Sequence, residues 1–307
     1  NIVRDVTKTE ESTRTNRLPK YLQCKRLLFV GNQAVGQMAA ELDQCDIGWI
    51  DENSILPFDE VNELMKERLA GILNGQELPR GITGWYYQQF LKMRYSLLCE
   101  DEFYMTWDGD TVPCRQVSMF KEGSGEPYLD LKTELRQGYF DTMGKLLPGM
   151  RKVIGKSFIS EHMLFRKDIM QDLIKRIEAN EALAGEQFWE KILYAISPEQ
   201  IQEGVFSEFE TYGTFVALNY MTTYRLREWH SFRLGAEFFD PKTISERDFI
   251  WLGRDFDAIS FEKNQSVRED HKNLFDNPEY QEKLTARQML EAVQPEFNGG
   301  YVEVWDK

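Results

Sequence analysis

The sequence predicts an α/β protein, an open mixed sheet flanked by helices with a helical and irregular C-terminal part. Three observations carry that prediction. Short apolar runs at residues 26–31 (RLLFVG), 47–51 (IGWID) and 103–107 (FYMTW) end in glycine or meet an acid, as buried strands feeding loops do. Stretches with helical spacing lie between the second and third runs, and strands alternating with helices build a sheet with helices on its faces. The composition, 42% hydrophobic and 29% charged over 307 residues, is that of an ordinary globular chain of about two domains or one elaborated domain.

The first two runs read as strands, with the loop 52–58 after the second. Asp59 then reads as the N-cap of a helix to about Leu73, with Gly75 near its end. A second helix is expected over 84–98, with Tyr86, Phe90, Met93 and Leu97 on its apolar face. Residues 103–107 form an aromatic strand that stops at Asp108-Gly109-Asp110. Beyond Val112 the alternation loosens: short strands are expected at 116–120 and 127–131, helices near 134–145, 168–182, 186–195 and 208–220, and extended segments at 157–165 and 223–232. Residues 1–240 are assigned to the main domain and the polar stretch 241–307, with a last helix near 285–293, to an extension packing on it or closing over it.

The formal net charge of −14 argues against a nucleic-acid partner, since neutralising phosphates takes a basic surface. The first 26 residues go against that sign, with seven basic and three acidic side chains. No apolar stretch approaches the roughly 18 residues of a membrane span, and no secretory leader is recognisable. Cys24, Cys45, Cys99 and Cys114 are widely spaced, without the C-x-x-C pairs of a zinc site or the density of a disulfide framework. A reduced, cytoplasmic protein is expected.

Asp108 and Asp110, two residues apart where a buried strand gives way to Gly109, converge on one point at a strand's carboxyl end, where open α/β sheets bind ligands. Carboxylate oxygens suit Mg²⁺ or Mn²⁺, which keep waters and bind diphosphates. The bland alternative is turn chemistry, for which Asp-Gly-Asp is equally good. One helix upstream, Trp85, Gln88, Gln89 and Lys92 fall at i, i+3, i+4 and i+7, making a polar stripe; the alternative there is a core helix with a solvated face.

Apolar strand, Asp-x-Asp and resumed apolar chain together resemble the metal-binding motif of GT-A-type glycosyltransferases. The preceding Trp85-Tyr86-Tyr87-Gln88-Gln89 helix is similar to that of uncharacterised bacterial surface-polysaccharide-cluster proteins. The resemblance covers roughly 26–239, strongest over 84–112. It implies a Rossmann-like GT-A fold and transfer of a sugar from a nucleotide diphosphate donor, usually a uridine diphosphate (UDP) sugar, to a carbohydrate or lipid-linked glycan acceptor. It also implies a cation held by Asp108 and Asp110, and donor contacts from Trp85, Gln88, Gln89, Lys92 and Asp108. The first strand of such a domain, with its base-binding loop, has no clear counterpart before Arg26; it is expected upstream of Asn1, which leaves the base-binding residues undetermined.

Two acidic segments stand in aromatic surroundings, 158–165 (FISEHMLF) and 206–213 (FSEFETYG). A carboxylate there has its pKa raised and becomes usable as an acid or base. Glu161, Glu208 and Glu210 are the candidates, Glu210 and Glu161 favoured, with His162 beside an acceptor. Against this, Ser207-x-x-Glu210 matches a helix capping box, and His162 fits a satisfied core residue equally well. In 225–233, Arg225, Arg227, Trp229, Ser231 and Arg233 share one strand face, a solvated surface by default or else an anion-binding wall. His271, Lys263 and Arg268 are candidates to close over a donor, though a solvent-facing charge run explains them as well. The basic run 145–156, with the leading segment, is a candidate contact for anionic lipid at the inner face of a membrane.

The expected activity is therefore metal-dependent sugar transfer in surface-polysaccharide assembly. A Mg²⁺-dependent nucleotidyl or phosphoryl transferase is a second reading, for which the loop 31–36 (GNQAVG) lacks the Lys-Ser/Thr end of a phosphate loop. A non-catalytic carbohydrate-binding protein, suited by 13% aromatic residues, is a third.

Overall fold

A computed structural model describes residues 21–22, 26–41, 47–134, 136–262, 265–271 and 273–293. Strand β1 (Leu27–Gly31), helix α1 (Gln33–Ala40) and strand β2 (Ile47–Asp51) form a βαβ unit, the two strands parallel with Leu27 opposite Ile47. Helices α2 (Glu52–Ile55), α3 (Phe58–Leu73) and α4 (Arg80–Arg94) follow, then β3 (Phe103–Trp107) and β4 (Thr111–Pro113). Next come β5 (Tyr128–Leu131), α5 (Gln137–Leu146), β6 (His162–Arg166), α6 (Lys167–Glu178), α7 (Phe188–Ala195), α8 (Pro198–Ile201) and α9 (Glu208–Asn219). The chain continues through β7 (Arg225–Glu228), β8 (Ser231–Phe232), α10 (Gly235–Phe238), α11 (Glu246–Leu252), β9 (Ala258–Ser260), α12 (Pro278–Lys283) and α13 (Ala286–Val293). The fold is a mixed α/β arrangement of small sheets flanked by helices. No helix among the described residues is long and apolar enough to cross a membrane.

The expected rhythm up to β3 is present with shifted bounds. Helix α3 starts one residue before Asp59, which lies in its first turn, and ends at the left-handed pair Asn74 and Gly75. Helix α4 starts behind Pro79 and tightens after Arg94 into a 3₁₀ turn, Tyr95–Leu97. That change of pitch carries Leu97 off the apolar face: it is 52% exposed, whereas Tyr86, Phe90 and Met93 are buried as expected. Residues 116–120 do not form the expected strand. Their polar groups are satisfied elsewhere, Val117 donating to the Tyr21 carbonyl and the Ser118 hydroxyl to that of Phe120, and Phe120 keeps a single bridge to Pro127.

Among the described strands, β3 pairs antiparallel with β6, β5 parallel with β7, and β9 lies between antiparallel β4 and parallel β8. Alternation splits β3 between two cores. Tyr104 joins the main apolar cluster, built from α3–α9 and β6, while Phe103, Met105 and Trp107 pack on a smaller cluster with Leu164, Trp229 and Ala258. A third cluster joins Val112 and Cys114 to Phe232, Phe238, Trp251, Phe256, Phe275 and Leu290. Residues on both sides of position 240 thus share one core. Within it α11 is capped by a reciprocal Ser245–Asp248 box, and the Trp251 indole N–H donates to the Leu284 carbonyl.

Helix α9 passes close enough to the 157–161 segment that a methyl group on Gly213 would drive into the fully buried Phe158 ring. Gly213→Ala should therefore destabilise the chain by about 1–3 kcal/mol through overpacking, despite alanine's better helix propensity. Denaturant unfolding checks this; a stability equal to or above wild type would contradict the packing.

Candidate functional site

The Asp-Gly-Asp segment is a tight turn that links two sheets. The Asp108 amide donates to the Glu161 carbonyl (2.8 Å), extending the β3–β6 ladder by one rung, and the Thr111 amide closes the turn on the Asp108 carbonyl (3.1 Å). The Trp107 indole N–H donates to the Thr111 carbonyl (2.9 Å), and the Phe261 amide to that of Asp110 (2.9 Å). Beyond the turn, the Thr111 hydroxyl shares a hydrogen bond with Ser260 (2.7 Å). The Asp108 side chain is 37% exposed. Burial and then the nearby Asp108 charge push the Asp110 carboxyl up to about 6.

Helix α4 brings Lys92 to this turn. Its ammonium lies 3.1 Å from Asp108 Oδ1 and 2.9 Å from Glu208 Oε1, over the Phe209 ring. Burial opposes that charge, but the two carboxylates outweigh it and hold the Lys92 pKa above the usual lysine value. Gln89 is buried and accepts the Glu208 backbone N–H (3.0 Å), so it serves the first turn of α9. The other members of the stripe lie apart: Gln88 is exposed, and Trp85 lines a cavity of about 240 Å³ with Arg136, Ile201 and Gly204.

Glu161 and His162 sit beneath the turn in two adjoining buried networks. Both Glu161 oxygens are occupied, one by Lys132 (2.9 Å) and the Ser231 hydroxyl (2.7 Å), the other by the Trp229 indole N–H (2.9 Å). Burial would raise its pKa, yet the Lys132 charge and these hydrogen bonds hold it below the ordinary value. His162 Nε2 contacts Asp130 Oδ2 (2.8 Å), and its ring stacks on Trp107. Asp130 also accepts a two-pronged bond from Arg227 (2.6 and 2.8 Å); burial is again outweighed, by Arg227 and His162, and its pKa is lowered.

Glu210 realises half of the capping box. Its amide N–H bonds the Ser207 hydroxyl (3.2 Å), while its carboxylate turns instead to the Ser157 hydroxyl (2.7 Å) and the Phe158 amide (2.9 Å). Both bonds go to Oε2, leaving the buried Oε1 without a hydrogen-bond partner among the described residues. Burial raises the Glu210 pKa in spite of the Ser157 and Phe158 bonds.

The alternating face over 225–233 is matched by the chain's own acceptors. Arg225 pairs with Glu126, Arg227 with Asp130, Trp229 and Ser231 with Glu161, and Arg233 with Glu262 (3.3 Å) and Glu134 (3.8 Å). Arg233 also feels the charge of Asp108, and its partner Glu262 follows Phe261, whose amide bonds the Asp110 carbonyl. Sequence reasoning passed over Glu134 and Glu262 because they lie in connecting segments without a motif; only their long-range pairing with Arg233 marks them. His271 is buried and stacked on Phe238, and the Arg268 amide bonds the Glu237 carbonyl, while Lys263 lies outside the described residues. In the basic run, Lys152 bonds the Lys156 carbonyl and Lys156 pairs with Glu228; residues 1–20 lie outside the described part. The Gly31–Gly36 loop is accounted for by packing: Asn32 caps α1 through the Ala34 and Val35 amides, and a Cβ on Gly31 or Gly36 would strike Val35 or Trp49.

A divalent cation fits the motif in part. The mutual repulsion of Asp108 and Asp110 is what such an ion relieves, and carboxylate oxygens are the donors Mg²⁺ and Mn²⁺ prefer. Among the described residues, no group of three or more His, Cys, Asp or Glu side chains is arranged as a metal cage. The rest of a coordination shell would come from water and substrate oxygens, as is usual for Mg²⁺.

Residues 23–294 match the model of DUF6492, described as a family of unknown function, and the chain belongs to that family. No curated protein and no solved structure matches the chain.

The lowered pKa values of Glu161 and Asp130 give stability a pH dependence of definite sign. Their contribution is fully present above the ordinary values of 4.5 and 3.8 and is lost as pH falls through the lower folded-state values. Denaturant unfolding between pH 6 and 3 should show stability falling once pH drops below about 4.5. Glu161→Gln should cost about 3–5 kcal/mol at pH 7, since it strands the Lys132 ammonium, and should flatten that fall. Equal stability of the two proteins at pH 7 would contradict the assignment.

Proposed function

We propose that this family member is a metal-dependent GT-A-type glycosyltransferase, moving a sugar from a nucleotide diphosphate donor, a UDP-sugar, to a carbohydrate or lipid-linked glycan in surface-polysaccharide assembly. One observation carries the reading: two carboxylates, close enough for one to raise the pKa of the other, on a tight turn at the carboxyl end of a half-buried strand. Asp108 and Asp110 would hold Mn²⁺ or Mg²⁺, which when bound supplies Lewis-acid neutralisation of the leaving diphosphate. The site fits a metal–diphosphate better than a metal alone, because the described residues offer two carboxylates and not a cage.

The remaining roles follow from which polar atoms are already committed. Glu161 has both oxygens bonded, so it positions the β6 end of the turn and does not act as a base. His162 sets Asp130 and the Trp107 ring. Glu210 is the carboxyl best suited to proton transfer, since Oε1 has no hydrogen-bond partner among the described residues and its pKa is raised toward the working range of a general base or acid. Arg233 and Lys92 limit the negative charge that an anionic donor meets.

Calorimetry with UDP and Mn²⁺ tests the proposal. Metal-dependent binding is expected from the wild type, and the Asp108→Asn, Asp110→Asn double variant should lose it, with sugar transfer, while keeping its unfolding profile. Chelator-insensitive transfer in that variant would end the assignment. Turnover of nucleoside triphosphates would favour a nucleotidyl transferase, and sugar binding without nucleotide binding a carbohydrate-binding module.

A further inference from the structure

We infer that Lys92 is a positioning residue that makes the Asp108–Asp110 turn receptive to a divalent cation accompanied by a diphosphate and unreceptive to the bare cation. The inference rests on the proposed metal-binding role of the turn and adds an order of binding to it.

Lys92 joins three elements that are distant in sequence. Its ammonium bonds Asp108 on the turn and Glu208 on the first turn of α9, and stands 4.3 Å above the Phe209 ring. Its own carbonyl is held by the Tyr104 hydroxyl (2.9 Å), and its side chain is only 16% exposed. Glu208 is fixed in turn, buried and with its amide N–H on Gln89. The ammonium is thus held between two carboxylates on a largely buried side chain, with Asp108 Oδ1 as one of its two ion-pair partners.

The charge of this brace acts with opposite signs on the two forms of the ligand. A bare divalent cation at Asp108 meets a fixed positive charge a few ångströms away and must share a carboxylate with it. A cation already bound to a nucleoside diphosphate is part of a net anion, which the same ammonium attracts. Among the described residues two carboxylates, one of them shared with Lys92, are too few to fill the six-coordinate shell of Mg²⁺ or Mn²⁺, and diphosphate oxygens with water would complete it. A residue serving only to stabilise the fold would weaken both forms of binding when removed.

Mn²⁺ titrations of the full chain followed by electron paramagnetic resonance, with and without UDP, separate these cases without measuring activity. The wild type should bind bare Mn²⁺ weakly and at least tenfold more tightly with UDP. Lys92→Met should bind bare Mn²⁺ on the order of tenfold more tightly than wild type, the effect of one charge about 5 Å away at a partly exposed site, and should lose the enhancement by UDP. Lys92→Arg should keep the wild-type pattern. Bare-Mn²⁺ affinity that is unchanged or reduced in Lys92→Met overturns the inference. Should that variant fail to fold, Glu208→Gln decides, leaving the ammonium to Asp108 alone. Weaker bare-Mn²⁺ binding with the UDP enhancement retained supports the inference, and tighter binding or a lost enhancement refutes it. A wild type that binds Mn²⁺ neither alone nor with UDP removes the metal site and the proposed activity together. A wild type that binds bare Mn²⁺ as tightly as with UDP removes only the role of Lys92.

Discussion

The buried Glu161 carboxylate is the contact on which the rest of the site depends. It stands one residue before β6 and accepts from Lys132, one residue past β5, from Ser231 in β8 and from Trp229 between β7 and β8. Its own carbonyl receives the Asp108 amide. A single residue thus ties the β3–β6 pair to the β5–β7 pair and to the sheet of β4, β8 and β9. Burying two charges is expensive, and the expense is met only because every polar atom of the Glu161 carboxylate is bonded. The bonds that make Glu161 a tie are the ones that hold its pKa below the ordinary carboxylate value.

Much of the local structure was legible in the sequence because it rests on local rules. The strands at 47–51 and 103–107 have the bounds that their apolar runs imply, and Ser207 caps α9 as S-x-x-E requires. What escaped the sequence depends on partners far along the chain. The period-two face from Arg225 to Arg233 was visible, but nothing local tells that Glu126, Asp130, Glu161, Glu134 and Glu262 stand opposite it. Helical spacing placed Trp85 and Lys92 on one stripe, yet a stripe on a fifteen-residue helix spans more than 10 Å. Lys92 reaches the motif, and Trp85 opens on a different cavity. His271 differs from expectation for a related reason: charged neighbours in sequence imply a solvated side chain, while Phe238 stacks on it in a core that joins Val112 and Cys114 to residues between 232 and 290.

The two carboxylates of the motif are also held from different sides. Asp108 continues the β3–β6 ladder and is gripped by Lys92 of α4. Asp110 is held by the Phe261 amide on its carbonyl, and its neighbour Thr111 by Ser260 in β9, both on the C-terminal side of position 240. That part is thus no mere appendage closing over a finished domain; it sets the position of half the motif. The chain passes from the first set of contacts to the second within the four-residue turn 108–111. The Asp108 amide is anchored beside β6, and the amide that Asp110 accepts comes from the residue after β9, so the turn stands where two sheets meet and the C-terminal part contributes a backbone contact to it.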